Sequence, residues 1–393
     1  MADFPALGPG LPMQPLPRMR HLAPNVTDSE TPQSGTLQIV DHFTPQVDDS
    51  IPPMPNPNGG LPFRAVRMPH GIRVTDSALQ TGYQGRINTS EFPNPQIHSP
   101  AMLLSFRGQT PEQTLEILDT AVRLDSGSVA VGAMQSLNTQ AQAGVRNTVT
   151  NFSMAGSPSN ITEHLYHDIS LAWNPARPDA SIEEQGRRFT GQGMSENLAR
   201  AWNIDPAALT SADPAISGPA RQQFQQNLIN RTSQAVRTPE MDQLRERLNS
   251  VVDGYESRNN SVVVAAGNNG DLAAAMRRDN GGRELQFPEG FYDNILATPN
   301  ATTVGALGVT GANNQIGVAG YSSPTPTVDL NAWGNPARGV EGTSFAAPRV
   351  AAQMQELHNR FPDRSSAQIE RMLRDQCYAN GNEITGCRLD TVQ

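Results

Sequence analysis

Short apolar runs alternate with longer stretches of helical spacing along most of the chain. The runs TLQIV (36–40), SVVVAAG (261–267) and ATTVGALGV (301–309) are rich in β-branched residues, which predicts buried strands. The stretches 111–124 and 239–258 place apolar residues three or four positions apart, which predicts amphipathic helices. Strands separated by helices favour a mostly parallel sheet, so we predict an α/β fold.

Further segments continue this alternation. Strands are also predicted for MLLSF (102–106), TVTNFSMAG (148–156) and TVDLNAW (327–333). Helices are predicted to begin in HGIRV (70–74), in GTSFAAP (342–348) and in SSAQIERMLRDQC (365–377), where a serine precedes an amphipathic run and suits an N-cap.

Composition predicts one large domain with flexible ends. Residues 1–34 are rich in proline without apolar periodicity, which predicts a flexible tail, and 35–376 form the predicted domain. Within it, 157–238 is rich in proline, glutamine and asparagine and shows several short helical patterns, so we interpret it as an insertion. Residues 377–393 are predicted to be a C-terminal tail.

Charge and hydropathy exclude several classes of partner. The net charge is −9, so no basic stripe is available to a nucleic acid. No stretch approaches the roughly 18 continuous apolar residues of a membrane span. The opening MADFPALGPGLPMQPLPRMR lacks a basic head followed by a continuous apolar core, which argues against a secretory signal peptide.

All 29 basic residues are arginine, and the chain contains no lysine. One explanation is a GC-rich genome that favours arginine codons. The other is selection against ubiquitin acceptors in a protein that works inside a eukaryotic cell. We therefore expect either a cytoplasmic protein or one exported without a signal peptide, including delivery into a host cell.

The two cysteines, Cys377 and Cys387, leave two states open. Their closeness allows a small disulfide loop, whereas the absent signal peptide favours a reducing compartment and free thiols. Two cysteines alone do not make a structural zinc site.

The segment GTSFAAP (342–348) carries the strongest chemical signal. Small residues around Ser344 allow a sharp turn into a helix, whose N-terminal amides favour a developing negative charge. The whole string resembles the active-serine motif of the subtilisin-like serine peptidases, or subtilases. This resemblance implies a three-layer α/β fold with helices on both faces of the sheet, and Ser344 as a nucleophile.

A second motif of that family lies about 75 residues before the serine. SVVVAAGNNG (261–270) is similar to the subtilase strand that ends at an asparagine of the oxyanion hole, which implies this role for Asn268. Asn269 is the less favoured donor, and a simple turn after the strand is the alternative for both residues.

A serine hydroxyl needs a base, usually a histidine held by a carboxylate. His70 in PHGIRV resembles the histidine motif of the family, and Asp41 in LQIVDHF ends a predicted strand where subtilases carry their aspartate. The chain order Asp41, His70, Ser344 is the subtilisin order. Asp48 or Asp49 would replace Asp41 if the register were different.

The surroundings of the aspartate and histidine depart from the family pattern. The aspartate is usually followed by a small residue and glycine, but here by His42 and Phe43, and the usual Thr-His after His-Gly is Ile72 and Arg73. These departures motivate an alternative hypothesis, namely a catalytically impaired subtilisin-like protein that binds peptides or proteins.

TVTNFSMAGS resembles the strand that pairs with extended substrate in subtilases, which implies that Ser153, Met154, Ala155 and Gly156 bind substrate. The insertion follows directly, so it could overhang the cleft and restrict substrates. The implied activity is a serine endopeptidase acting on proteins or peptides, with an effector or toxin of narrow specificity as one form. No organic cofactor is expected. Subtilases often hold structural calcium, but no carboxylate-rich loop identifies its ligands here.

Overall fold

A mostly parallel sheet carries the fold. The computed structural model describes residues 26–28, 34–43, 46–47, 66–67, 69–93, 110–173, 181–184, 187–310, 315–335 and 340–379. The strands are β1 (Val26–Asp28), β2 (Leu37–Asp41), β3 (Gln46–Val47), β4 (Val66–Arg67), β5 (Ile87–Glu91), β6 (Val149–Phe152), β7 (Ser181–Glu184), β8 (Arg187–Thr190), β9 (Ser261–Ala265), β10 (Thr302–Thr310), β11 (Gln315–Val318) and β12 (Leu330–Trp333).

The main sheet has the order β1-β5-β2-β6-β9-β10-β11, and β12 pairs with β10. All its pairings are parallel except β10 with β11. The helices are α1 (His70–Leu79), α2 (Pro111–Gln142), α3 (Pro158–Ala172), α4 (Gly191–Ala201), α5 (Pro206–Thr210), α6 (Pro214–Ala235), α7 (Pro239–Glu256), α8 (Leu272–Asp279), α9 (Thr343–Arg360) and α10 (Ser366–Ala379).

Helices cover both faces of the sheet. Alternate residues of each strand point to opposite faces, so a single strand packs against helices on both sides. In β9, Val263 and Ala265 pack in one apolar cluster with residues of α1, α9 and α10. Val262 and Val264 pack in another cluster with residues of α2 and α7. The predicted three-layer α/β fold is therefore confirmed.

The carboxyl ends of the parallel strands meet at one edge of the sheet. Asp41 ends β2, Ser153 follows β6, and the segment to Asn268 follows β9, with β6 paired to both β2 and β9. Helices α1 and α9 begin at this edge, because His70 at the start of α1 contacts Asp41, and the carbonyl of Ser344 in the first turn of α9 accepts the hydroxyl of Ser153. This topology gathers residues that lie up to 300 positions apart in the sequence.

The insertion is helical, as its short periodic patterns predict. It contains α3 to α6 and the hairpin β7–β8. Its apolar cluster includes Trp173 and Phe224, whose ring centroids lie 5.2 Å apart, and continues into Leu118 of α2 and Met276 of α8. Residues 157–238, the predicted insertion, are thus packed against α2 and α8 and not attached only by their ends.

Several boundaries differ from the sequence-based expectations. Within the predicted N-terminal tail, Val26–Asp28 adds an edge strand to β5, and residues 1–25 lie outside the described residues. Strand β5 was not predicted, because polar residues occupy its last positions. MLLSF (102–106) also lies outside the described residues. The capped final helix agrees, since Ser365 and Gln368 each accept a hydrogen bond from the other's backbone N–H.

Within the part of the chain that the structure describes, no helix is long and apolar enough to cross a membrane.

Candidate active site

Asp41 and His70 form a hydrogen-bonded pair at the carboxyl edge of the sheet. The Nδ1 atom of His70 lies 2.8 Å from Oδ1 of Asp41, which also accepts the backbone N–H of His42 at 2.6 Å. The Asp41 side chain is fully buried, whereas 39% of the His70 side chain is exposed. The carboxylate therefore holds one ring nitrogen, and the ring remains accessible from solvent.

The environment of His70 favours its protonated form. Burial lowers the pKa of His70, but the charge of Asp41 and its hydrogen bond outweigh this and raise the pKa above the ordinary value of 6.5. The positive charge of Arg73 acts in the opposite direction. An imidazole of this kind accepts a proton readily and is stabilised as imidazolium.

The unusual neighbours of the pair have a packing role. Gly71 donates its backbone N–H to the carbonyl of His42, and a methyl group at Gly71 would lie 2.6 Å from the Phe43 ring. The carboxylate of Glu91, on the adjacent strand β5, accepts the backbone N–H of Phe43. His42 and Phe43 therefore lock the start of α1 against β2 and leave the Asp41–His70 contact intact.

Ser344 occupies the first turn of α9, which starts at Thr343 after Gly342. The first backbone N–H groups of a helix lack partners within the helix, so they are available to bind a negative charge. The ring of Phe345, the next residue, lies 5.6 Å from the ring of His70 between centroids. Ser77 of α1 also donates to the carbonyl of Phe345 at 2.7 Å. These contacts place His70 beside the start of α9.

Asn268 and Asn269 have opposite orientations. Asn268 is exposed, and its Oδ1 accepts the backbone N–H of Thr343 at 2.8 Å and the Thr343 hydroxyl at 3.0 Å. Asn269 is 2% exposed and binds Ser159 and Glu163 of the insertion instead. The two asparagines therefore have different surroundings, because Asn268 is held at the start of α9 and Asn269 by residues of α3.

The predicted substrate strand lies next to the serine. Ser153 donates from its hydroxyl to the carbonyl of Ser344 at 2.8 Å. Met154 and Ala155 are half-buried, and Gly156 is buried. Residues 153–156, which follow β6, thus run from the start of α9 toward α3.

The buried side chain of Asn294 joins the segment that follows β6 to the end of β9. Asn294 donates to the carbonyls of Met154 at 3.0 Å and Ala265 at 2.7 Å. It accepts the backbone N–H groups of Gly156 at 3.2 Å and Leu296 at 3.1 Å. Asn294 therefore sets the spacing between the segment that follows β6 and the end of β9.

Behind this amide lies a cavity of about 330 Å³. Its lining includes Gly156, Asn294 and Ser126 from the main domain and Ser233 from α6 of the insertion. The insertion therefore contributes to the surroundings of the substrate strand.

Sequence reasoning missed Thr343 and Asn294 as supporting residues. Thr343 lies within the GTSFAAP motif, but the motif does not indicate that this residue contacts Asn268. The structure shows that Thr343 is buried and that its backbone N–H donates to Oδ1 of Asn268. Asn294 lies in a loop without apolar periodicity, so no local pattern marks it.

The sequence profile of the peptidase S8 or subtilase family matches residues 169–385, which is more than half of the chain. The chain belongs to the subtilase family. Subtilases are serine peptidases, so the substrate class of this subtilase is proteins or peptides. The matched region includes Asn268 and Ser344, whereas Asp41 and His70 lie before it.

Three solved structures match most of the chain at low sequence identity. A cold adapted subtilisin-like serine proteinase is 13% identical, with a TM-score of 0.42 and coverage of 92% of this chain and 91% of that one. Sphericase is 13% identical, with a TM-score of 0.37 and coverage of 91% and 88%. A lanthipeptide protease is 12% identical, with a TM-score of 0.38 and coverage of 87% and 81%. No curated protein sequence matches the chain.

Some sequence-based candidates lie outside the described residues. Asp48 and Asp49, the substitutes for Asp41, are among them, as is Cys387. Among the residues that are described, no group of three or more histidine, cysteine, aspartate or glutamate side chains is arranged to hold a metal ion. No calcium ligands are therefore assigned.

Proposed function

We propose that this subtilase is a serine endopeptidase in which Ser344 is the nucleophile, His70 the general base, Asp41 the orienting carboxylate and Asn268 an oxyanion donor. The observation that carries this proposal is the 2.8 Å contact between Asp41 and the His70 ring, which itself rests against Phe345, next to the serine. The anchoring of Asn268 by Thr343 supports the oxyanion role.

The reaction is acyl transfer to the serine hydroxyl. His70 takes the proton of Ser344 as its oxygen attacks the peptide carbonyl, and the carbonyl oxygen becomes negatively charged. The amide of Asn268 and the backbone N–H of Ser344 stabilise that oxyanion. His70 then gives the proton to the leaving amine. Water repeats the sequence on the acyl-enzyme, which releases the second product and restores the hydroxyl.

The Asp41 carboxylate orients His70 and stabilises its charged form. The raised pKa of His70 is consistent with this division of roles. Substrate binding is expected along Ser153, Met154, Ala155 and Gly156, where an extended peptide can add main-chain hydrogen bonds to the edge of the sheet.

We also propose a restricted substrate range, consistent with an effector or toxin. The insertion contributes to the cavity behind the substrate strand, and the chain contains no lysine. Full labelling of the serine combined with weak casein hydrolysis is expected. Efficient cleavage of casein at many sites would contradict a narrow range.

The triad is tested by fluorophosphonate labelling of purified protein, with casein hydrolysis followed in parallel. Ser344→Ala should abolish labelling, because the probe bonds covalently to the serine oxygen and loses fluoride. His70→Ala and Asp41→Asn should slow labelling by roughly 10³-fold or more, because the serine then lacks an oriented base. Circular dichroism checks that each variant is folded.

Ser250→Ala is the matched control, since this serine is exposed on α7 and its hydroxyl donates a hydrogen bond to the carbonyl of Glu246 in the same helix. It should label as the wild type does. Failure of folded wild-type protein to label would favour the peptide-binding alternative, with the altered surroundings of Asp41 and His70 as the first place to look for the cause.

A further inference from the structure

The first helix of the insertion is bonded to the loop that carries the oxyanion asparagine. Asn269 donates from Nδ2 to the carboxylate of Glu163 in α3, and its Oδ1 accepts the hydroxyl of Ser159 at 3.0 Å. Ser159 is itself fixed, since its backbone N–H donates to the carbonyl of Phe291 at 3.0 Å. Both polar ends of the Asn269 side chain are therefore held by the insertion.

This contact is internal to the protein. Asn269 is 2% exposed, Ser159 is fully buried, and Glu163 is half-buried. A hydrogen bond from an amide to a carboxylate is among the stronger ones, and its loss at a buried site leaves an amide without a partner. The pairing thus fixes the side of the loop that faces away from the cleft.

The remaining restraints on the loop come from the main domain. Thr343 holds Oδ1 of Asn268 and the backbone N–H of Gly267. Ser323 accepts the backbone N–H of Asn269 at 3.2 Å, and Gly270 donates to the carbonyl of Tyr321 at 2.9 Å. Gly267 has a φ of +113°, a conformation that other residues rarely adopt, so the backbone at this point is specified closely.

Asn268 is therefore held by the start of α9, and its neighbour Asn269 is held by residues of α3. An oxyanion donor stabilises charge efficiently only when it is positioned before the reaction, because any reorganisation is added to the barrier. We propose that Glu163 and Ser159 are positioning residues for the oxyanion hole, so that the insertion supports catalysis and does not only shape access to the cleft. This inference rests on the proposed function.

The test is a double-mutant cycle between Glu163 and Asn268, read by the rate of fluorophosphonate labelling. Glu163→Ala should slow labelling about tenfold, the scale for losing one positioning hydrogen bond to a charged group. Asn268→Ala should slow it by about 10²–10³, which is typical for one oxyanion donor. Because Glu163 acts through Asn268, the double variant should be no slower than Asn268→Ala alone.

Two further variants separate positioning from general packing. Glu163→Gln keeps an oxygen that can accept from Asn269, so it should recover most of the rate. His167→Ala changes an exposed residue on the same helix and should label as the wild type does. The free energy of unfolding, measured in urea, should not predict the order of labelling rates.

The outcomes are distinguishable from those of the proposed function. No labelling of folded wild-type protein overturns the proposed function. Normal labelling of the wild type together with an unchanged rate in Glu163→Ala overturns only the positioning role. Multiplicative losses in the double variant would also overturn it, because they show that Glu163 acts independently of Asn268.

Discussion

Replacement of Asn294 by alanine should weaken the whole cleft. The side chain is 3% exposed and makes four hydrogen bonds to the backbone, with Met154, Ala265, Gly156 and Leu296. A buried polar group that loses its partner costs about 1–3 kcal/mol, although water entering the vacated space can satisfy some of the four groups. We expect a loss of about 3 kcal/mol in the free energy of unfolding, a large part of the roughly 5–15 kcal/mol typical of a domain.

The assay is equilibrium unfolding in urea, performed in the Ser344→Ala background to prevent self-digestion. Asn300→Ala is the matched control, because this exposed asparagine follows Asn294 in the same loop, and its side-chain amide donates a hydrogen bond to the carboxylate of Asp253. It should cost less than about 1 kcal/mol. A loss below 1 kcal/mol for Asn294→Ala, or equal losses for both variants, would refute the bridging role. With Ser344 present, Asn294→Ala should also slow labelling, because both cleft walls shift.

Four further results are expected. The rate of labelling should increase as the pH rises through the pKa of His70, which lies above 6.5, since only the neutral ring accepts a proton. The charged His70–Asp41 pair stabilises the fold below pH 6.5, and this stabilisation is lost as the pH rises through the same pKa. Asp41→Asn should move the half-maximal pH of the remaining labelling downward, because burial then dominates, and an unchanged midpoint would contradict this. Thr343→Val, at a fully buried position, should keep the fold, as circular dichroism can verify, but slow labelling about tenfold, because Asn268 loses the hydroxyl bond and keeps only the backbone bond from residue 343. Burial and two nearby carboxylates raise the pKa of Glu256 to about 8, so the free energy of unfolding should decrease as the pH rises from about 4.5 to about 8. Urea unfolding at pH 5 and pH 8 measures this decrease, which should be smaller in Glu256→Gln by at least about 1 kcal/mol.

The amino-acid sequence by itself determined the α/β class and the order of most elements. Periodicity is a local property, so runs such as 261–267 and 239–258 could be assigned to a strand and a helix without tertiary information. The motif around Ser344 was also sufficient to predict the family. In that motif the turn, the helix start and the hydroxyl come from consecutive residues, so all three can be predicted without tertiary information.

Tertiary structure alone decided which side chains support that chemistry. Asn268 and Asn269 are adjacent in sequence and chemically identical, yet Asn268 is exposed and bonded to Thr343, whereas Asn269 is buried and bonded to Glu163, because the strand end is surrounded by helices from distant segments. The same holds for Asn294, whose partners lie up to 140 residues away. Hydrogen bonds of this kind depend on where chain segments meet, and no spacing rule along the chain encodes that.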